Sequence, residues 1–110
     1  MTIFISQLMN GKTEEAITEE RQKAIDEITE IWYDEKESEE ELEIIDSFFK
    51  DYPNEENPNV KNIPVGFLAK AIALLSMCDA VYFCDGWKDG RGTVIEHEIC
   101  EKYGIKILKD

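Results

Sequence analysis

The sequence has few residues of the kinds that bind transition metals. Its 110 residues include one histidine, His97, and three cysteines, Cys78, Cys84 and Cys100, with no Cys-X-X-Cys pair. A zinc site needs several convergent Cys or His ligands, so we predict no metal site and no cofactor. An odd number of cysteines in a reducing compartment is typical of free, mostly buried thiols.

Basic residues are also scarce. Twelve Lys and Arg stand against 25 Asp and Glu, which gives a net charge of -13. Such a surface repels the phosphate backbone of nucleic acids and the anionic face of a membrane, so neither is an expected partner. A small anionic ligand remains compatible with this charge, because a helix N-terminus can bind it locally.

Long apolar runs are absent as well. No stretch reaches the length that crosses a bilayer. The N-terminus enters an apolar segment without a positively charged region or a cleavage site, so we expect a cytoplasmic protein. The length fits one domain over residues 1–110, and 43% hydrophobic residues suffice for a small core.

Apolar and amphipathic segments alternate along the chain. Runs of β-branched and aromatic residues predict four strands, over residues 2–6, 42–49, 79–84 and 105–108. Apolar residues at helical spacing predict three helices. The first begins after an N-cap at Thr13, the second spans residues 64–77, and the third spans residues 93–103 and ends at Gly104. Two polar connections are predicted: residues 34–41 as a solvated helix end or a loop, and residues 50–63 as a long loop.

Strands that alternate with helices indicate right-handed crossovers and a parallel sheet. We therefore predict an α/β fold, a small flavodoxin-like three-layer domain whose four-stranded sheet has the order 2-1-3-4. Ligands of such sheets bind at the carboxyl ends of the strands, where the strand order reverses. Here that point lies between strands one and three, and segments 6–11, 46–47 and 85–96 would line it.

Nine residues of this crevice are candidate ligand contacts. Arg91 is suited to a phosphate or carboxylate, or alternatively to a salt bridge with a neighbouring acid. Trp87 is suited to stacking on a ring, or alternatively to covering the core. Two glycines allow close approach of the backbone to a ligand. The full set is Ser6, Gln7, Met9, Gly11, Trp87, Gly90, Arg91, Gly92 and Thr93.

Glu96 is the main candidate for chemistry. It would lie one turn into the third helix, where the helix dipole would keep a carboxylate ionised and suited to attack on the anomeric carbon of a sugar. Thr93 and Glu96 also match a capping box, which remains a structural alternative. Asp85, at the end of strand three, and Asp79, at its start, are candidate assisting acids. His97 is expected to point away from Glu96, towards the surface.

Two blocks of the sequence resemble a known family. Residues 3–17 read IFISQLMNGKTEEAI, and residues 78–108 read CDAVYFCDGWKDGRGTVIEHEICEKYGIKIL. Both resemble signatures of the DUF4406 family, which is similar to nucleoside 2-deoxyribosyltransferases. The resemblance implies one deoxyribosyltransferase-like domain. It also implies a homo-oligomer, because related sites borrow residues from a neighbouring subunit.

The same resemblance implies roles for particular residues. Gly92 to Glu96 fit the transferase pattern D-x-G-T-x-x-E, which places the nucleophile at Glu96 and the strand-opening aspartate at Asp79. Gly90 departs from that pattern where an Asp or Ser is expected. Leu8 also replaces a proline that is usual in the opening block, and Glu98 replaces a glycine.

These observations predict an enzyme that cleaves the N-glycosidic bond of a nucleoside or deoxynucleotide, or that transfers its deoxyribosyl group, through Glu96. Asp85 or Asp79 would assist. A non-catalytic nucleotide-binding module with the same crevice is one alternative, and an acidic protein-interaction domain is another. The apolar helix over 64–77 would supply part of a twofold interface.

Overall fold

A computed structural model of the protein describes residues 1–35, 41–49 and 57–110. Strands and helices alternate through these residues, with a short 3-10 turn, Trp87–Asp89, before the last helix. The elements are β1 (Thr2–Ser6), α1 (Glu14–Glu35), β2 (Glu43–Ile45), α2 (Ile63–Leu75), β3 (Ala80–Phe83), α3 (Arg91–Tyr103) and β4 (Lys106–Lys109).

The four strands form one parallel sheet in the order β2-β1-β3-β4, which confirms the predicted topology. Successive side chains of a strand face opposite sides of a sheet. Ile3 and Ile5 of β1 therefore pack towards α1, in a cluster with Ala24 and Ile28. Phe4 packs on the other face, in a cluster with side chains of α2 and α3. Helices thus cover the sheet on both sides, as in a three-layer domain.

Helix starts follow local capping chemistry. The Thr13 hydroxyl accepts a hydrogen bond from the amide of Ala16 at 3.1 Å, which confirms Thr13 as the N-cap of α1. Asn62 caps α2 by accepting from the amide of Val65 at 3.1 Å, so α2 begins one residue before Pro64. None of the described helices combines the length and the apolar character that a membrane span requires.

The predicted second strand was too long. Instead of residues 42–49, β2 covers Glu43–Ile45, because the carboxylate of Asp46 accepts from the amide of Phe48 and turns the chain. The bounds of β3, β4 and α2 differ from the predicted ones by one or two residues at each end. Of the two predicted polar connections, residues 36–40 and 50–56 lie outside the described residues.

Helix α3 ends at Gly104, as predicted, and Gly104 adopts the left-handed conformation with φ 70°. A side chain there is strained whatever the surrounding space. Gly92 differs, because it lies inside α3 and a Cβ atom added to it would meet Leu68 at an ordinary 3.6 Å. The two glycines therefore form a matched pair for substitution.

We predict that Gly104→Ala lowers the free energy of unfolding by about 1 kcal/mol, because alanine disfavours the left-handed conformation. Gly92→Ala should leave it unchanged or raise it, since alanine is the better helix former. Urea denaturation followed by circular dichroism measures both. Equal losses in the two variants would contradict this assignment of the Gly104 conformation.

Candidate active site

A cleft of about 540 Å³ opens at the carboxyl end of β1. The loop after β1, Ser47 after β2, one face of α2 and the segment around the start of α3 line it. This is the switch point between β1 and β3 at which the sequence predicts a ligand. The two strands pair so that Ser6 lies beside Phe83, which brings the segment after β3 next to the end of β1.

Glu96 lies on the wall of this cleft and bonds to the end of β1. The Ser6 hydroxyl donates to Glu96 Oε1 at 3.1 Å. Both residues are buried, with 1% of Ser6 and 5% of Glu96 exposed. The second carboxylate oxygen, Oε2, is also buried and has no hydrogen-bond partner among the described residues. One oxygen of the carboxylate is thus fixed by protein, and the other remains unpaired.

The expectation that the helix dipole keeps Glu96 ionised was wrong. Burial raises the pKa of Glu96 to about 7, and the hydrogen bond from Ser6 offsets only part of that rise. Arg91 is the first residue of α3 and Glu96 the sixth, so the carboxylate lies beyond the first turn, where the dipole acts most strongly. Desolvation therefore exceeds the effect of the helix terminus.

The capping-box alternative was also wrong. Helix α3 begins at Arg91 with Gly90 as its N-cap, so Thr93 is the third residue of the helix and not its cap. The Thr93 hydroxyl bonds to the carbonyls of Trp87 at 2.5 Å and of Gly90 at 3.2 Å. A Cβ atom at Gly90 would overlap the Thr93 hydroxyl, which explains the glycine at this position. Glu96 has no capping role and is directed to Ser6.

Asp79 lies at the other end of the sheet. Its carboxylate accepts from the amide of Thr2 at 2.7 Å. Thr2 and Ser6 are the two ends of β1, which a rise of about 3.3 Å per residue separates by roughly 13 Å. The structure therefore does not bring Asp79 to Glu96. Its contacts join the amino ends of two central strands.

Asp85 lines a different cavity. That cavity, of about 430 Å³, lies on the α1 side of the sheet and is also lined by Glu20, Tyr82 and Lys109. Cys84, which precedes Asp85, packs in the cluster that faces α1. The carboxylate that does accompany Glu96 in its cleft is that of Asp89, an exposed residue not selected from the sequence.

Trp87 covers the core and does not line the cleft. Its ring packs against Phe83 and stacks on His97, with centroids 4.0 Å apart and planes inclined by 11°. The indole N–H donates to the carbonyl of Asp110 at 3.2 Å. His97 points away from Glu96 as predicted, but its side chain is only 12% exposed because it lies between aromatic rings and two carboxylates.

The remaining candidates divide between cleft and turn. Arg91 is exposed on the cleft lining and forms no ion pair with the described part of the chain, so its guanidinium is available to an anion. Gly92 and Met9 also line the cleft. Gly11 is not among the lining residues, and its φ of 81° shows that it serves the turn before α1.

Sequence reasoning missed one wall of the cleft. Phe67, Leu68 and Pro64 of α2 form an apolar surface there, and Phe67 stacks on Phe49 with parallel rings 6.0 Å apart. The signal for this wall is the nearly uniform apolar character of α2, which predicts contact with a sheet but not with a ligand. Residues 57–78 also contain Lys61 and Lys70 but no Asp or Glu.

The comparison with known families supports part of the predicted resemblance. The family described as "Domain of unknown function (DUF4406)" matches residues 57–109, the segment that carries β3, α3 and Glu96. Over this segment the resemblance to DUF4406 is confirmed. No curated protein and no solved structure matches the chain, so the likeness to nucleoside 2-deoxyribosyltransferases stays a hypothesis.

Burial of Glu96 predicts a pH-dependent stability. Its pKa is about 7 in the folded protein and 4.5 as the ordinary value, so the folded state favours the neutral form. The stability that this form contributes is complete below about pH 4.5 and is lost as pH rises through about 7. Glu96→Gln stays neutral at every pH. The free energy of unfolding of this variant minus that of the wild type should therefore increase by roughly 2–3 kcal/mol between pH 4.5 and pH 8.

Urea denaturation at a series of pH values measures this difference. The matched control is Glu98→Gln, because Glu98 is exposed on the same helix and pairs with Lys102 at the surface. That control should show a small effect at every pH. A difference between Glu96→Gln and wild type that is constant from pH 4.5 to 8 would contradict the raised pKa.

Proposed function

We propose that this chain, whose residues 57–109 match DUF4406, cleaves the N-glycosidic bond of a deoxynucleoside or deoxynucleotide, with Glu96 as the nucleophile. The observation that carries the proposal is the state of the Glu96 carboxylate. It is buried at the wall of a cleft, with one oxygen fixed by Ser6 and the other unpaired. The bond from Ser6 orients the carboxylate, and the proposal requires that the substrate reach the buried second oxygen from the cleft.

The reaction follows from that arrangement. The unpaired oxygen of ionised Glu96 forms a bond to the anomeric carbon, while the bond from that carbon to the base breaks and the base keeps the electron pair. A second base, or water, then attacks the same carbon and releases the carboxylate. The departing base takes one proton from solvent, and the attacking water or second base loses one when it bonds to the carbon, so the protons balance. We assign to Asp89, the other carboxylate on the described cleft lining, the hydrogen bond to the water that carries them.

Two surfaces of the cleft suit the rest of a nucleotide. The apolar wall of α2, with Phe67 and Leu68, suits the face of a base. Arg91 suits a 5′-phosphate, because a guanidinium pairs with phosphate oxygens and this one has no other partner among the described residues. The substrate is thus a deoxynucleoside, with a preference for its phosphorylated form.

A homo-oligomer forms part of the proposal. Val65, on α2, is 58% exposed, and Ile63 of the same helix and Ile95 of α3 are also exposed large apolar residues. A net charge of -13 opposes association over most of the surface, but α2 carries no acidic residue. A second copy of the chain is therefore the partner we assign to this face.

A non-catalytic nucleotide-binding module is the second candidate. Its support is the position of Asp79 and Asp85, both of which lie outside the cleft that contains Glu96. Binding requires only the cleft and Arg91, whereas catalysis also requires an ionised Glu96. Stabilisation of the protein by nucleotides without any release of base would favour this candidate.

Glu96→Gln should abolish base release, with a loss of roughly 1,000-fold or more in kcat/KM, because the amide is not a nucleophile. The wild-type kcat/KM should rise with pH and level off above about pH 7, where Glu96 is ionised. Chromatography of the free base from the four common 2′-deoxynucleosides and their 5′-monophosphates measures both effects. Glu98→Gln is the control and should retain activity, whereas unchanged turnover by Glu96→Gln would exclude Glu96 as the nucleophile.

Arg91→Ala should raise the KM for a deoxynucleoside 5′-monophosphate about 10-fold and leave the KM for the unphosphorylated nucleoside unchanged, because a charge-assisted pair with the phosphate is lost. Lys88→Ala is the control, since Lys88 is nearby and exposed but does not line the cleft. Equal effects of Arg91→Ala on both substrates would show that Arg91 does not contact the phosphate.

A further inference from the structure

Two buried side-chain atoms lack a hydrogen-bond partner within the described residues. One is Glu96 Oε2, and the other is Oε1 of Gln7. Both residues line the same cleft, and Gln7 is 7% exposed. A buried acceptor without a donor lowers stability, and proteins rarely leave such atoms unpaired except at sites of function. Two of them on one cleft point to a ligand, whose anomeric carbon would bond to Glu96 Oε2 and one of whose donors would pair with Gln7 Oε1.

The orientation of the Gln7 amide is fixed by its nitrogen. Nε2 donates to the carbonyl of Ile17 at 3.0 Å and to Glu20 Oε1 at 2.9 Å, which uses both N–H groups. Lys12 holds Glu20 in place through an ion pair of 3.1 Å. Rotation of the amide by 180° would place its oxygen against two acceptors, so Oε1 is held as the acceptor.

We propose that Gln7 Oε1 accepts a hydrogen bond from a hydroxyl group of the substrate sugar, and that Glu20 and Lys12 are positioning residues for Gln7. The inference rests on the proposed function, since the sugar must lie beside Glu96 for its anomeric carbon to be attacked. A phosphate or carboxylate group cannot take this place, because it would bring acceptors to an acceptor. Gln7 therefore selects the sugar hydroxyl, and the exposed Arg91 selects the anion.

The hydroxyl is one that 2-deoxyribose retains. Glu96 Oε2 is the attacking atom at the anomeric carbon, so Gln7 is left to contact a more distant part of the ring. The donor is thus the 3′-hydroxyl, or the 5′-hydroxyl of an unphosphorylated nucleoside, since a 5′-monophosphate retains only the 3′-hydroxyl. Analogues that lack one or the other distinguish them.

A double-mutant cycle between protein and ligand tests the contact. Binding is measured by calorimetry in the Glu96→Gln background, which removes turnover from every arm. The ligands are the four common 2′-deoxynucleosides and their 3′-deoxy and 5′-deoxy analogues. Loss of the relevant hydroxyl should weaken binding about 10-fold when Gln7 is present and less than 2-fold in Gln7→Met, which is similar in size but offers no oxygen.

A second measurement needs no substitution at Gln7. The side-chain amide of Gln7, labelled with 15N, should shift on addition of the deoxynucleoside and not with the analogue that lacks the contacted hydroxyl. Glu20→Ala should reduce the difference between the two ligands about 3-fold, because the amide is then held by Ile17 alone. A purely structural role of Glu20 would weaken both ligands equally and would contradict the positioning role.

The outcomes separate this inference from the proposed function. An equal loss of affinity with and without Gln7, together with an amide that does not shift, overturns the inference even if the wild type releases base through Glu96. If the wild type releases no base but the effects of Gln7 and of the hydroxyl on binding remain coupled, the proposed catalysis is overturned and the proposed contact stands. Failure of every 2′-deoxynucleoside and of every 5′-monophosphate to bind overturns both.

Discussion

A single buried hydrogen bond, from Ser6 to Glu96, joins the end of a central strand to helix α3. The two residues are 90 positions apart, so the bond forms only when the sheet and the last helix are both in place. It also holds a carboxylate in a site that favours the neutral acid. The fold is therefore most stable with the protonated form, while the proposed nucleophilic chemistry needs the ionised one. Such opposition between stability and reactivity is common at sites of catalysis.

The parallel register supplies the geometry on which this bond depends. Because Ser6 pairs with Phe83, the segment that follows β3 lies next to the carboxyl end of β1. At the opposite end, Asp79 bonds to Thr2 and fixes the same register. Asp79 and Glu96 thus belong to one arrangement, with Asp79 at the amino ends of the two central strands and Glu96 at their carboxyl ends.

The order of the sheet could be predicted from the sequence, because alternating strands and helices permit few topologies. The start of α3 could not be predicted. Thr93 and Glu96 match a capping consensus, but the Thr93 hydroxyl bonds to the carbonyl of Trp87 instead of capping the helix. The sequence also did not predict on which side of the sheet Asp85 lies, because a shift of one residue along a strand or turn moves a side chain to the opposite face. Burial of Glu96 depends on packing by distant segments, which no local pattern records.

The distribution of charge has a consequence for the route by which an anion reaches the protein. Carboxylates are spread over much of the chain, yet the 22 residues 57–78 contain none, and this stretch includes the α2 wall of the cleft. Repulsion of an anion is therefore weakest along that wall. For the nucleotide proposed above, added salt would accelerate capture by screening the remaining acidic surface, the reverse of what is seen for proteins that attract anions with a basic face.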